Sequence, residues 1–355
     1  MAVTTAPARA RSGLRIGAGD RVRLAIIVAL FVFCFVGLPP LLSAYWIDVS
    51  TSVAIYSVVA LGLNLLMGRV GMVSLGQIAV LALGAWIGAR FLFGTGLPFP
   101  VVLLIDGLLT MVLGTLIGLP ALRLTGLYLA LITLMLAGAI SVVLAATNFP
   151  NGGGGFKGYT DTLQGSANVR RPDIATSDPA YFRYALVCMA VMFALALWHV
   201  RSKPGRAWAA IRQSEPAALA AGVNMTLYKL WAFALASFMT GVAGALLAAQ
   251  VNHLYTFQFR AIDSILLLAV VLMGGIYSLW GAIVAGAFMK LLPALLDNWG
   301  LPADLLTILF GVGILQVLLT APGGVAQQFP RDMARLGGAI GRLFKRGEPA
   351  REAAK

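Results

Sequence analysis

The chain has 355 residues, 60% of them hydrophobic and 11% charged, with a mean hydropathy of +0.89 and a formal net charge of +13. A soluble domain carries roughly a quarter charged residues, so most of this surface has to face lipid, and the class is an all-α, polytopic transmembrane helical bundle. Alternating ten-residue strands are missing, which argues against an outer-membrane barrel; the basic residues gather at the two ends and in one internal loop, which fits topology and lipid headgroups and not nucleic acid.

The N-terminal segment 1–23 carries Arg9, Arg11, Arg15, Arg21 and Arg23 and reads as a basic cytoplasmic tail. The apolar run after it is too long for a signal peptide core, and further spans follow, so it reads as an uncleaved first helix. Stretches long enough to span cover 24–46, 48–68, 71–93, 98–120, 126–147, 182–200, 228–250, 263–277, 279–297 and 302–320, about ten in all. The pair 263–277 and 279–297 is short and nearly continuous, and two readings stand: two full spans, or a hairpin broken at Gly274–Gly275.

Positive-inside counting supports this total. Six crossings bring the chain back to the cytoplasm before Arg201, Lys203, Arg206, Arg212 and Lys229, and four more leave Arg331, Arg335, Arg342, Lys345 and Arg346 there too. The expected organisation is a permease-like membrane domain over 24–320 and a basic cytoplasmic tail over 321–355. Inside the membrane domain, 148–181 is a Gly-rich outer segment and 201–227 an inner one.

The run Gly68–Trp86 opens with Gly68, Gly71, Ser74, Gly76 and Gln77. Small residues of this kind let membrane helices approach backbone to backbone, or line a path for a small polar solute. A faint internal echo links Leu66-Met67-Gly68, Gly71, Ser74 and Leu75 with Leu272-Met273-Gly274, Gly275, Ser278 and Leu279. Asn64, Ser74, Gly76, Gln77 and Thr133 are the candidate path residues; the competing reading of the polar ones is interhelical hydrogen bonding.

Catalytic chemistry is not visible in the sequence. Of thirteen acids, Asp106 alone lies well inside an expected span, as a helix-bundle hydrogen bond, a partner for a base such as Arg90, or thin support for ion coupling. His199 and His253 have no ligand-spaced companion, so no metal site is expected. Cys34 and Cys188 sit in apolar runs as small packing residues. The run Gly152–Gly158 resembles a phosphate loop only loosely, because Lys157 is followed by Gly158 and not Ser or Thr.

The inner segment contains Gly205, Arg206, Arg212, Glu215, Pro216, Ala217, Ala218 and Gly222. Pro216 suits the first turn of a helix, the alanines favour its continuation, and Gly222 suits its end. The result is a short cytoplasmic helix with small side chains, able to seat in a groove on another protein or to lie on the lipid surface.

This segment resembles the coupling loop of ABC importer permeases, whose pattern is roughly EAA, three residues, then Gly. Pro216 stands in place of the initial acid, with Glu215 one residue earlier. The segments Leu63-Asn64-Leu65-Leu66, Ser74-Leu75-Gly76-Gln77, Pro120–Thr133, Gly205-Arg206-Ala207, Tyr228–Phe233 and Gly274–Gly281 are similar, in this order, to LivM-type permeases of branched-chain amino acid ABC importers, over about residues 50–325. The resemblance implies a transport subunit of the bacterial inner membrane that binds no cofactor and is not itself an enzyme. It further implies a LivH-type second permease, two ATPase subunits using ATP–Mg and a periplasmic substrate-binding protein. Gln77 stands where many relatives have His, Gly138 where Glu is frequent, and Asn151–Gly158 replaces a Thr-Gly-Gly-x-Gly-Ile type of run. If these positions line the path, the resemblance leaves urea, short amides or other small carboxylates beside branched-chain amino acids as solutes. Separately, an ion-coupled carrier working alone and a polytopic membrane enzyme are the rival readings from other classes.

Overall fold

The computed structural model describes residues 18–121, 126–146, 171–251, 254, 258–301 and 303–320. Both terminal tails beyond these bounds, residues 148–170 of the expected outer segment and His253 lie outside the described residues. Two compact units divide at Ser43.

The first unit contains α1 (Ala18–Val32), a π turn (Phe33–Gly37) and α2 (Leu38–Leu41). Ile26, Val28, Leu30, Phe33 and Val36 are exposed along it, as lipid contact requires. The expected helix over 24–46 is not continuous: Leu42 is extended (φ −102°, ψ 145°), and a new helix starts at Ala44.

The second unit is an all-helical bundle. Its long members are α3 (Ala44–Asn64), α4 (Gln77–Gly94), α5 (Phe99–Ala121), α6 (Leu127–Ala146) and α7 (Asp178–Arg201). Two short helices follow, α8 (Lys203–Gln213) and α9 (Glu215–Ala220). Then come α10 (Met225–Gln250), α11 (Asp263–Gly274), α12 (Leu279–Asn298) and α13 (Ala303–Thr320). Among the described residues, six helices are long and apolar enough to cross a membrane. α11 has 12 residues, about 18 Å of rise, well short of a roughly 30 Å hydrocarbon core.

α10 is the axis of this unit, with 94% of its most apolar window buried, against 28% for the corresponding window of α6. It packs on α3, α4 and α5. Contacts fix the directions. Gln250 of α10 meets Asp48 and Ser52 at the start of α3, so α3 is antiparallel to α10. Gly84 and Gly88 of α4 face Gly241 and Ala245 in the same order, so α4 is parallel to it. The small residues of the Gly68–Trp86 run thus serve close helix packing at Gly84, where a Cβ would lie 2.7 Å from the Gly241 Cα.

α4 begins later than the expected 71–93 span. Gln77, its first residue, stands beside Thr240, partway along α10, so the helix starts inside the bundle. Residues 71–76 before it are non-helical. Gly84→Ala forces α4 and α10 apart, and a loss of about 1–3 kcal/mol is expected. Thermal unfolding of the purified chain in detergent checks this, with Gly138→Ala as the control, since a Cβ there meets nothing within 4 Å.

Candidate functional site

Two helix breaks meet in the interior, and they carry the two halves of the internal echo. At the first, α3 runs into a π turn (Leu65–Val70) and ends at Gly71, whose φ of 88° is open to glycine at little cost. At the second, α11 ends and Gly275 takes φ 114° before the chain re-enters helix at Leu279. The two touch directly: a Cβ on Gly68 would collide with the Ile276 carbonyl.

Broken helices leave backbone groups without partners inside the helix, and here the surrounding residues are largely buried. Side chains fill the need. The Leu75 amide donates to Thr133 Oγ1 (2.9 Å), the Gly76 amide to Ser74 Oγ (3.4 Å) and the Ile78 amide to Ser264 Oγ (3.4 Å). Asn64 Nδ2 donates to the carbonyls of Gly275 (3.2 Å) and Ser278 (3.0 Å), so the first break caps the second. Asn64 is fully buried.

The candidate path residues Asn64, Ser74, Gly76, Gln77 and Thr133 thus gather around the first break. Gln77 Nε2 donates to Thr240 Oγ1 of α10 (2.8 Å) and is buried, as are Asn64, Ser74 and Thr133. Asp106 accepts from Thr110 Oγ1 (3.3 Å) one turn away in α5. Arg90 is buried in α4 with Nη1 unpartnered among the described residues.

The segment over 201–227 is folded. α8 lays Ala207, Trp208 and Ile211 against the bundle, and Trp208 Nε1 donates to the Tyr228 carbonyl (2.9 Å). Gly205 lies so close to the Val200 carbonyl at the end of α7 that a Cβ would not fit. Arg206 is exposed. Ser214 caps α9 by accepting from the Ala217 amide (3.4 Å). Glu215 and Pro216 occupy its first turn, Ala217 is exposed and Ala218 buried. Gly222 closes it at φ 78°: its amide donates to Leu219 O (2.9 Å) and the Val223 amide to Ala218 O (3.0 Å), a Schellman ending. Lys229 Nζ, largely buried in the first turns of α10, pairs with Glu215 Oε1 at 2.7 Å. Arg212 Nη1 donates to Gly68 O (2.8 Å), and its guanidinium lies 4.3 Å over the Tyr277 ring.

The short helix expected at Pro216–Gly222 is close to α9, whereas α8 occupies a stretch that reads as loop. The spacing of Ala207, Trp208 and Ile211 carries a helical signal for it. Ser264 and Tyr277 do not stand out in the sequence, since their roles depend on partners distant along the chain. At the opposite end of α7, Arg171 Nη1 pairs with Asp178 Oδ1 at 2.6 Å, and its Nε donates to Ala249 O (3.3 Å). That arginine ties the start of α7 to the end of α10.

Asn64→Val removes the donor to two buried carbonyls at once. A loss of about 1–3 kcal/mol is expected, seen as a lower unfolding temperature in detergent, with Asn64→Gln losing less.

Residues 45–318 match the family model described as branched-chain amino acid transport system / permease component. The chain is 28% identical over 341 residues to the high-affinity branched-chain amino acid transport system permease protein LivM of Salmonella typhimurium, covering 91% of this chain and 80% of that protein. It is likewise 28% identical over 344 residues to LivM of Escherichia coli, with the same coverage. No solved structure matches it. The paired breaks and the folded α8–α9 element therefore lie in a multi-pass membrane protein, and the chain belongs to the family of permease components of branched-chain amino acid transport systems.

Proposed function

We propose that this chain is one half of the transmembrane pathway of an ABC importer in the bacterial cytoplasmic membrane, moving branched-chain amino acids or a related small polar solute inward. Its partners are a LivH-type permease, two ATPase subunits that use ATP–Mg, a periplasmic substrate-binding protein and membrane lipid. The chain itself binds no cofactor and performs no catalysis. About ten crossings with both termini cytoplasmic put 201–227 on the ATPase side and 148–181 on the periplasmic side.

One observation carries the reading beyond family membership. The α8–α9 element is anchored at Trp208 and Lys229, while Leu219, Ala217 and Pro216 remain exposed on α9. A rigid element with a free outer face transmits displacement, where a floppy loop would absorb it. Gly205, Arg206, Arg212, Glu215, Pro216, Ala217, Ala218 and Gly222 form this coupling segment. The solute path runs past the first break, near Asn64, Ser74, Gly76, Gln77 and Thr133, where broken helices bring polar backbone to mid-bundle. Gln77 and Gly138, which depart from the pattern of relatives, favour a second reading of the substrate as urea or a short amide.

Gly222→Pro tests the coupling. Proline fixes φ near −65° and lacks the N–H, so the ending of α9 cannot form. Uptake by the reconstituted complex should fall at least about tenfold while insertion persists; normal uptake with normal solute-stimulated ATP hydrolysis refutes the assignment. Copurification after gentle solubilisation should bring down ATPase subunits, and uptake by this chain alone in a nucleotide-free vesicle would instead establish an ion-coupled carrier. Gln77→Leu should alter the order of preference among leucine, urea and acetamide in competition uptake, and an unchanged order removes Gln77 from the path.

A further inference from the structure

Arg212 belongs to the proposed coupling segment, yet its guanidinium is turned toward the bundle. It donates to Gly68 O in the π turn, its Cγ packs 3.5 Å from where a Cβ of Gly71 would stand, and it covers the Tyr277 ring at 4.3 Å. Gly68 and Gly71 belong to the first helix break and Tyr277 to the second. Asn64 closes the figure by bonding from the first break to the second. One side chain of α8 thus touches both broken elements.

We infer that Arg212 is a releasable latch, a positioning residue that holds the two helix breaks together until α8–α9 moves. The inference rests on the coupling role proposed above and names its internal target. The C-terminal end of a broken helix exposes carbonyls and a partial negative charge, which a cation satisfies. Arg212 serves as that cation for α3. A planar guanidinium is suited to donate in its plane while stacking on an aromatic face; a lysine does neither as well.

The hold is built to let go. No carboxylate pairs with Arg212 among the described residues. Arg212 is an exposed residue, so water can take its place on the Gly68 carbonyl once it leaves. Asn64, fully buried, has no such substitute and keeps its bonds. The Arg212 contact is the link that opens and the Asn64 contact is the pivot that stays. Ser214, two residues on, caps α9, so displacement of α9 reaches Arg212 directly.

The test uses the assembled importer in proteoliposomes, with leucine uptake and ATP hydrolysis measured together. Arg212→Gln should assemble fully and lower uptake per ATP about tenfold, the scale of one lost charge-assisted hydrogen bond. Tyr277→Leu should lower the same ratio about threefold, and Tyr277→Phe, which keeps the ring, should recover it. The double variant Arg212→Gln, Tyr277→Leu should be no worse than Arg212→Gln alone. Loss of ATPase subunits from Arg212→Gln would make Arg212 a partner contact and overturn the latch, as would an unchanged ratio or fully multiplicative losses. Amide hydrogen exchange on the isolated chain in detergent gives a readout independent of transport. Exchange over both 65–76 and 275–278 should rise at least about threefold in Arg212→Gln, and no rise at the second segment overturns the latch even where uptake cannot be measured. A wild-type complex without ATP-driven uptake would sink the importer reading but leave this exchange result standing.

Discussion

The fold turns on one constraint: two helices stop inside the bundle, among largely buried residues. Every amide and carbonyl set free there has to find a partner on the protein. Thr133 from α6, Ser264 from α11 and Ser74 from the break itself take up amides at the start of α4. Asn64 and Arg212 supply donors to carbonyls. Those five side chains come from five places in the chain, so the demand for hydrogen bonds brings α3, α6, α8 and α11 around the start of α4. Polar residues that look like a solute path in sequence are, in this arrangement, also what allows the broken backbone to exist.

The bundle is largely legible in the sequence because long apolar runs report themselves. The expected spans 98–120, 126–147 and 228–250 differ from α5, α6 and α10 by three residues or fewer at each end. The late start of α4 is not legible. Met72–Leu75 is as apolar as a helix interior, and hydropathy does not separate a non-helical apolar segment from a helical one. Gly274–Gly275 is more readable, since two adjacent glycines end a helix on local grounds. α8 stays hidden because Pro204 and Gly205 punctuate its start, although Pro in the first turn is favourable.

At the site, the residue types are visible but their pairings are not. Asn64, Ser74, Gln77 and Thr133 stand out as polar residues in apolar surroundings. Their partners lie far along the chain: Thr133 is 58 residues from Leu75, Thr240 is 163 from Gln77 and Ser278 is 214 from Asn64. Local periodicity carries no information at that range. Arg212 shows the same limit in another form, because charge in a basic loop says nothing about whether the side chain faces outward or in.

The glycine-lined seam between α4 and α10 has a mechanical consequence. Where backbones meet with no side chain between them, there is no compliant layer to shear, and sliding would break many dispersion contacts at once. These two helices therefore behave as a single stiff spar. Any rearrangement during a transport cycle has to be concentrated at joints outside that spar, and two of the chain's positive-φ glycines, Gly71 and Gly275, stand at such joints.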